Sequence, residues 1–216
     1  MKRPYLIAVE GIDGCGKGTQ IKKLREWLSQ KTKSEVGGWY EPNDESSPIA
    51  KTIRAVLSKE FSVSDPFEFQ RMYVVDRAQN IFSLLLHNKE KHDYKVVDRF
   101  ALSTIAYGML TGRPADDFIK LHYDVLGPSM VWPDLTIIID VSADTAIDRI
   151  NKRLKEDKRA KETFEKKKFL ENIRQNYLSL ANRKDVGTIA VVNGERPPEE
   201  VFEDVKKAVA KHFGIN

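Results

Sequence analysis

The residues Val9-Glu10-Gly11-Ile12-Asp13-Gly14-Cys15-Gly16-Lys17-Gly18-Thr19-Gln20 have the types and spacing needed to hold a phosphate chain. Glycines at 11, 14 and 16 permit positive φ angles and let backbone N–H groups come close to phosphate oxygens. A helix starting after them points its positive end at the same spot, and Lys17 can reach the outer phosphates. An ordinary turn with capping glycines would explain neither the lysine nor the apolar run before it. The candidate nucleotide-binding set is therefore Gly11, Ile12, Asp13, Gly14, Cys15, Gly16, Lys17, Gly18, Thr19 and Gln20. One position departs from the usual pattern. Gly18 stands where Ser or Thr would hold magnesium, and the hydroxyl comes one residue later, at Thr19. Cys15 reads as a small residue tolerated in the loop and not a redox sensor, although a thiol close to a helix N-terminus can be reactive.

A second constellation is Val96-Val97-Asp98-Arg99. An aspartate just after a buried strand can hold magnesium, directly or through water, beside the phosphates. Arg99 can fork onto phosphate oxygens and neutralise charge that builds during transfer. Taken alone, the segment fits a structural ion pair equally. Asp13 is a carboxylate amid phosphates, repulsive unless it serves a cation or a sugar hydroxyl. By periodicity alone Arg54 and Arg77 read as surface arginines and Tyr73 as core. The histidines at 87, 92, 122 and 212 lack metal-ligand spacing, so no zinc site is expected.

These groups need elements to position them. Unbroken apolar runs at Tyr5–Val9, Tyr94–Val97, Leu135–Val141 and Thr188–Val192 predict parallel strands covered on both faces. Val36–Tyr40, interrupted by Gly37 and Gly38, is a fifth candidate. Helical spacing links Ile21, Leu24, Trp27 and Leu28, then Ile49, Ile53, Val56 and Leu57, and then the stretch from Pro66 to Leu86. Asp144 is expected to cap a helix carrying Ala146, Ile147 and Ile150, and Pro198 to open the last one. Strands alternating with helices predict an α/β fold, a doubly wound five-stranded parallel sheet with helices on both faces. Its ligands should sit at the carboxyl ends of the strands.

The chain has 216 residues, with 36 Lys and Arg against 32 Asp and Glu, a net charge of +4. That suits a single domain over 1–216 and an anionic small molecule, with no need for a nucleic-acid partner. Cys15 is the only cysteine, and no apolar run is long enough to span a membrane. Together these predict a soluble cytoplasmic protein with no membrane partner.

Read in order, the motifs resemble the thymidylate kinases, a branch of the P-loop nucleoside-monophosphate kinases. EGIDGCGKGTQ is similar to the family's EGxDGxGKxTQ, and Glu41-Pro42, with Ser47-Pro48-Ile49 and Ile53-Arg54, to its R-E-P region. Asp98-Arg99-Phe100 with Ser103 and Tyr107 resembles D-R-[FYH]-x-x-S-x-x-A-Y. Pro133-Asp134-Leu135-Thr136 with Asp140 resembles P-D-L-T-x-x-L-D, and Phe169, Arg174 and Tyr177 to Ala181 resemble F-x-x-x-x-R-x-x-Y-L-x-L-A. The resemblance implies transfer of the ATP γ-phosphoryl group to dTMP, with Mg2+ as cofactor and a homodimer as the assembly. It implies catalytic roles for Lys17, Arg99 and Asp13, with Asp98 at the metal. It further implies that Tyr73 stacks on thymine, Arg77 bonds a base carbonyl, Thr104 reads the base and Tyr107 packs on the deoxyribose. Arg54 and Arg99 would bind the monophosphate, Glu41, Pro42 and Ser103 would complete the acceptor site, and Arg149 would pack on adenine. Residues 151–168 would form a short basic lid.

Three positions differ from the family pattern. Tyr40 replaces the R-E-P arginine, Gly18 gives a GKGT loop like that of adenylate kinases, and Glu162-Thr163-Phe164-Glu165 stands where the lid has D-R-x-E. The missing cation would come from Arg153, Lys158 or Arg159, unless that segment is simply a solvated helix. A kinase for dUMP, AMP or a deoxynucleoside is the nearest alternative, although no D-G-x-P-R segment of the adenylate kinases is present. A GTPase switch lacks its N-K-x-D, since Asn88-Lys89-Glu90-Lys91 ends in lysine. A protein that binds nucleotide without turnover would consume no ATP.

Overall fold

The computed structural model describes residues 3–42, 47–86, 94–154 and 160–215. The four apolar runs become the strands β1 (Tyr5–Glu10), β2 (Tyr94–Asp98), β3 (Leu135–Asp140) and β4 (Thr188–Asn193). All pair in parallel, in the order β2-β1-β3-β4. Leu6 to Val9 are at most 1% exposed, as a strand covered on both faces requires.

After β1 come α1 (Lys17–Thr32), α2 (Pro48–Leu57) and α3 (Pro66–Leu86); after β2 come α4 (Ala101–Gly108) and α5 (Ala115–Leu126). Next are α6 (Ala143–Leu154) and α7 (Ala160–Leu180), then α8 (Pro198–Phe213) after β4. The first crossover runs from β1 outward to β2, and the next returns past β1 to β3. Because parallel crossovers are right-handed, this reversal places α1 and α4 on opposite faces. It also opens a crevice at the carboxyl end of β1, where the glycine loop begins. Helix α1 packs on β2 and α8, while α4 packs on α3, α5 and α7.

The sheet has four strands, not the expected five. Val36–Tyr40 runs beside β2 but meets it only in isolated parallel bridges, Gly37 to Lys95 and Tyr40 to Asp98. The cause is local. At Gly38 a Cβ would overlap the Val96 carbonyl, and the Arg25 guanidinium, 2.6 Å from that same oxygen, crowds the segment. The bonds that do form, Val96 N to Gly37 O at 2.9 Å and Asp98 N to Trp39 O and Glu41 N to Asp98 O at 3.0 Å, deliver Glu41 to the crevice. Ser142, not Asp144, caps α6: the Thr145 amide donates to its Oγ, while Asp144 in the first turn pairs with Lys167. Helices α4, α5 and α7 add to those the apolar spacing singled out.

Candidate active site

The glycine loop follows from close approach. Gly11, Gly14 and Gly16 have φ of 138°, 87° and 100°. A Cβ on Gly11 would lie 2.7 Å from the Ile139 carbonyl oxygen, and one on Gly14 would overlap that of Ala146, so glycine alone lets the loop lie on β3 and α6. Gly16 precedes α1 with no side-chain cap, leaving first-turn N–H groups for a ligand. Lys17 folds back over the loop and donates to the Gly11 and Ile12 carbonyls at 3.1 and 3.2 Å. Asp13, Gly14, Gly16, Lys17, Gly18 and Thr19 face one end of a cleft of about 930 Å3. Gly11, Ile12, Cys15 and Gln20 lie behind it. Gln20 instead ties α1 to the Pro198 carbonyl at 3.0 Å. Cys15 is buried under the loop at 2% exposure, in keeping with a small residue tolerated there.

Arg99 sits just after β2 with φ 65°, a strained conformation for a residue with a side chain. Its guanidinium donates to Asp13 Oδ1 at 2.5 Å, Ser103 Oγ at 3.0 Å and the Tyr177 hydroxyl at 3.2 Å, and lies over the Tyr107 ring. Beneath it is Glu10, fully buried at the end of β1. One carboxylate oxygen accepts from the Phe100 and Ser103 amides at 2.8 and 3.1 Å, the other from Ser103 Oγ at 2.5 Å and the Tyr177 hydroxyl at 3.1 Å. Burial pushes the Glu10 carboxyl up, opposed by the Ser103 bond and the Arg99 charge. For Arg99, burial works against the charge, but Tyr177, Tyr107, Asp13 and Glu10 together hold its pKa well above the usual value. Desolvation likewise opposes ionisation of Asp13, and Arg99 and Lys17 outweigh it, so its pKa falls.

A second buried cluster holds Arg77, which is 1% exposed. Arg77 donates through Nε to Glu41 Oε2 at 2.8 Å, through Nη2 to Thr104 Oγ1 at 3.0 Å, and through Nη1 to His122 Nε2 at 2.6 Å. Arginine only donates, so His122 Nε2 is the acceptor and its proton sits on Nδ1, 2.7 Å from the Phe118 carbonyl oxygen. Burial and the adjoining Arg77 charge push the His122 pKa down to about 3. Trp39 and Asn80 donate to the other oxygen of Glu41. Burial raises the Glu41 pKa, against the pull of Arg77.

The cleft brings most of the expected residues together. Glu41, Pro42, Arg54, Tyr73, Asp98, Arg99, Ser103, Thr104, Tyr107, Arg149 and Arg153 line it beside the loop. Arg77 does not; it reaches the cleft wall only through Thr104. Arg54 donates to the Pro42 carbonyl at 3.2 Å. Arg149 spans the Cys15 and Gly194 carbonyls at 3.3 and 2.9 Å, joining the loop to the end of β4. Burial raises the Tyr73 and Tyr107 hydroxyls to about 12, so both stay protonated. Asp98 Oδ1 is buried without a hydrogen-bond partner among the described residues. Lys158 and Arg159 lie outside the described residues. Sequence reasoning gave no role to Glu10, Gln70, His122 or Tyr177. A carboxylate closing a buried strand was a signal for Glu10, and a histidine four residues after Phe118 on an apolar helix face was one for His122.

The family model for thymidylate kinase matches residues 9–205. The thymidylate kinase of Maridesulfovibrio salexigens is 33% identical over 212 residues, covering 96% of this chain and 95% of its own. That of Carboxydothermus hydrogenoformans is 29% identical, covering 94% and 96%, and the probable thymidylate kinase of Methanobrevibacter smithii is 31% identical, covering 97% and 96%. The match runs through the glycine loop, the Asp98-Arg99 turn and strands β2 to β4, and the chain belongs to the thymidylate kinase family.

Proposed function

We propose that this chain transfers the γ-phosphoryl group of ATP to dTMP, giving dTDP and ADP. One observation carries the reading. A single cleft has a phosphate-binding loop at one end, Tyr73, Thr104 and Tyr107 further along, and Arg99 reaching to the loop residue Asp13. In this reading an oxygen of the dTMP phosphate attacks the γ-phosphorus while its bond to the β-bridging oxygen breaks and ADP departs. The acceptor is already anionic, so no strong base is needed. The work lies in alignment and charge neutralisation.

Lys17 exchanges its two loop carbonyls for phosphate oxygens, and the uncapped N–H groups of α1 hold the chain. Arg99 and Arg54 take the monophosphate, with Asp13 keeping Arg99 aimed across the cleft. Tyr73 offers a planar face to the base, Tyr107 packs on the deoxyribose, and Arg149 packs on adenine. Mg2+ fits the orphaned Asp98 Oδ1, relying with Gly18 in the loop on carboxylate and water more than on a loop hydroxyl, and when bound it would neutralise charge on the phosphates. Residues 151–168 act as the lid that excludes water, with Arg153 as its cation at the cleft. We further assign the chain to the cytoplasm, which suits its single cysteine. The exposed Val75 and Phe82 of α3 are assigned to a homodimer contact.

The test is coupled ADP release with dTMP, dUMP, dCMP and AMP as acceptors and ATP or GTP as donor. Turnover should be fastest with ATP and dTMP, and faster turnover with AMP would overturn the reading. Lys17→Ala and Arg99→Ala should each lower kcat at least about a hundredfold, the scale of losing one oriented charge at a phosphoryl transition state. A folded variant turning over at the wild-type rate would remove that residue from the mechanism.

A further inference from the structure

Asp98 Oδ1, at the end of β2, and Arg25 Nε, on α1, are both buried without a hydrogen-bond partner among the described residues. Each is costly to leave unpaired. The two belong to one corner of the structure. Helix α1 packs on β2, and Arg25 Nη2 donates to the Val96 carbonyl at 2.6 Å, which fixes the guanidinium two residues before Asp98. Two residues of strand cover about 7 Å. A single water with a hydrogen bond on each side spans about 5.5 Å between the atoms it joins, so it can bridge the guanidinium to the carboxylate. The Asp98 charge is felt at Arg25: burial lowers the Arg25 pKa, and Asp98 opposes that fall.

The loop explains why Asp98 is left open. Gly18 lines the cleft with Asp98 and lies on the same side of α1 as Arg25, which follows seven residues, or two turns, later. With no side chain, Gly18 offers a hydroxyl neither to a metal nor to Asp98. A Cβ there would meet nothing within 4 Å, and its φ is not positive, so neither space nor backbone demands glycine. Arg25 is the donor that this side of α1 presents to β2 instead.

We infer that Arg25 is a positioning residue for Asp98, joined to it by one ordered water that accepts from Nε and donates to Oδ1. This rests on the reading of Asp98 as the group that holds Mg2+. A carboxylate oxygen has two lone pairs, so the bridge occupies one and leaves the other to the metal. The bridge fixes the rotation of the carboxylate and pairs an oxygen that no other described group serves. Asp98 is then already oriented when Mg2+ arrives with the nucleotide. Arg25 does not line the cleft, so it acts only through Asp98.

The experiment is calorimetric titration of the whole chain with ADP, once in Mg2+ and once in EDTA, which reads the metal's share of binding without turnover. Arg25→Lys keeps the charge and a donor for the Val96 carbonyl but has no Nε–H. It should bind ADP in EDTA within about twofold of wild type and lose about tenfold in affinity in Mg2+. Adding Gly18→Ser, which has room for its side chain, should recover most of that loss by giving the metal a loop hydroxyl. Unchanged affinity in Mg2+ for Arg25→Lys overturns the inference. So does equal weakening in Mg2+ and EDTA, which would confine Arg25 to holding the edge of β2. Wild type that binds ADP equally well with and without Mg2+ is a different outcome, which overturns the placing of the metal at Asp98 and this inference with it.

Discussion

At the scale of single residues, Glu10 has the most contacts for the least visible role. Its two oxygens collect four donors, and two of those donors, the hydroxyls of Ser103 and Tyr177, also accept from Arg99. Each hydroxyl has one hydrogen to give, the two lie 2.7 Å apart and so share in one network with Glu10, and Arg99 donates to both. Glu10 thereby orients Arg99 through two intermediaries and supports its charge without touching it, as a positioning residue. Glu10→Gln would turn an NH2 group toward those hydroxyls and remove the negative charge beneath Arg99. We expect a stability loss of about 1–3 kcal/mol by urea denaturation, and a fall in kcat beyond what that loss explains. A variant as active as wild type would mean that Asp13 and the Arg99 backbone suffice to aim the guanidinium.

At the scale of elements, the strands were legible because burial on both faces demands an unbroken apolar run, which a sequence displays directly. The segment before Glu41 was not, because its failure to pair fully is decided by neighbours far along the chain. Gly38 meets the carbonyl of Val96, and Arg25 from α1 takes that same oxygen. Helix α5 could have been read: it follows Pro114, carries Asp116 and Asp117 in its first turn, and ends at Gly127. The consequence of the Gly38 geometry is testable. The atom a Cβ would meet is backbone and cannot swing aside, so Gly38→Ala must push the segment off β2 and carry Trp39, Tyr40 and Glu41 with it. Destabilisation of about 1–3 kcal/mol is expected, with the KM for dTMP raised and that for ATP hardly changed. Equal effects on both substrates would show that the segment serves the sheet as a whole and not the acceptor end.

At the scale of the molecule, the phosphate end of the site was readable because its residues are contiguous. The acceptor end was readable only through the family resemblance, because its partners meet only on folding: Glu41 with Arg77, Arg77 with His122, Glu10 with Tyr177. Such buried ionisable groups also set how stability depends on pH, and their signs differ. His122 is neutral in the fold down to about pH 3, whereas the unfolded chain protonates it below about 6.5. Between those values the unfolded state binds more protons, so His122 lowers stability as pH falls, by up to about 1.4 kcal/mol per unit. Glu10 and Glu41, raised by burial, act oppositely: the folded state takes their protons first, so acidification toward their ordinary pKa relieves the cost. A variant that shares the carboxylates but lacks the imidazole separates the two. His122→Asn keeps an acceptor for Arg77 with no proton to gain. At pH 7 it should be less stable than wild type, because a shorter side chain fills the site less well. Between pH 6 and pH 5 that gap, followed by urea denaturation, should narrow by about 1 kcal/mol, since only wild type suffers the His122 penalty. A gap that stays constant would place the His122 proton equilibrium at its unfolded value, and with it deny that Arg77 and burial hold the ring neutral.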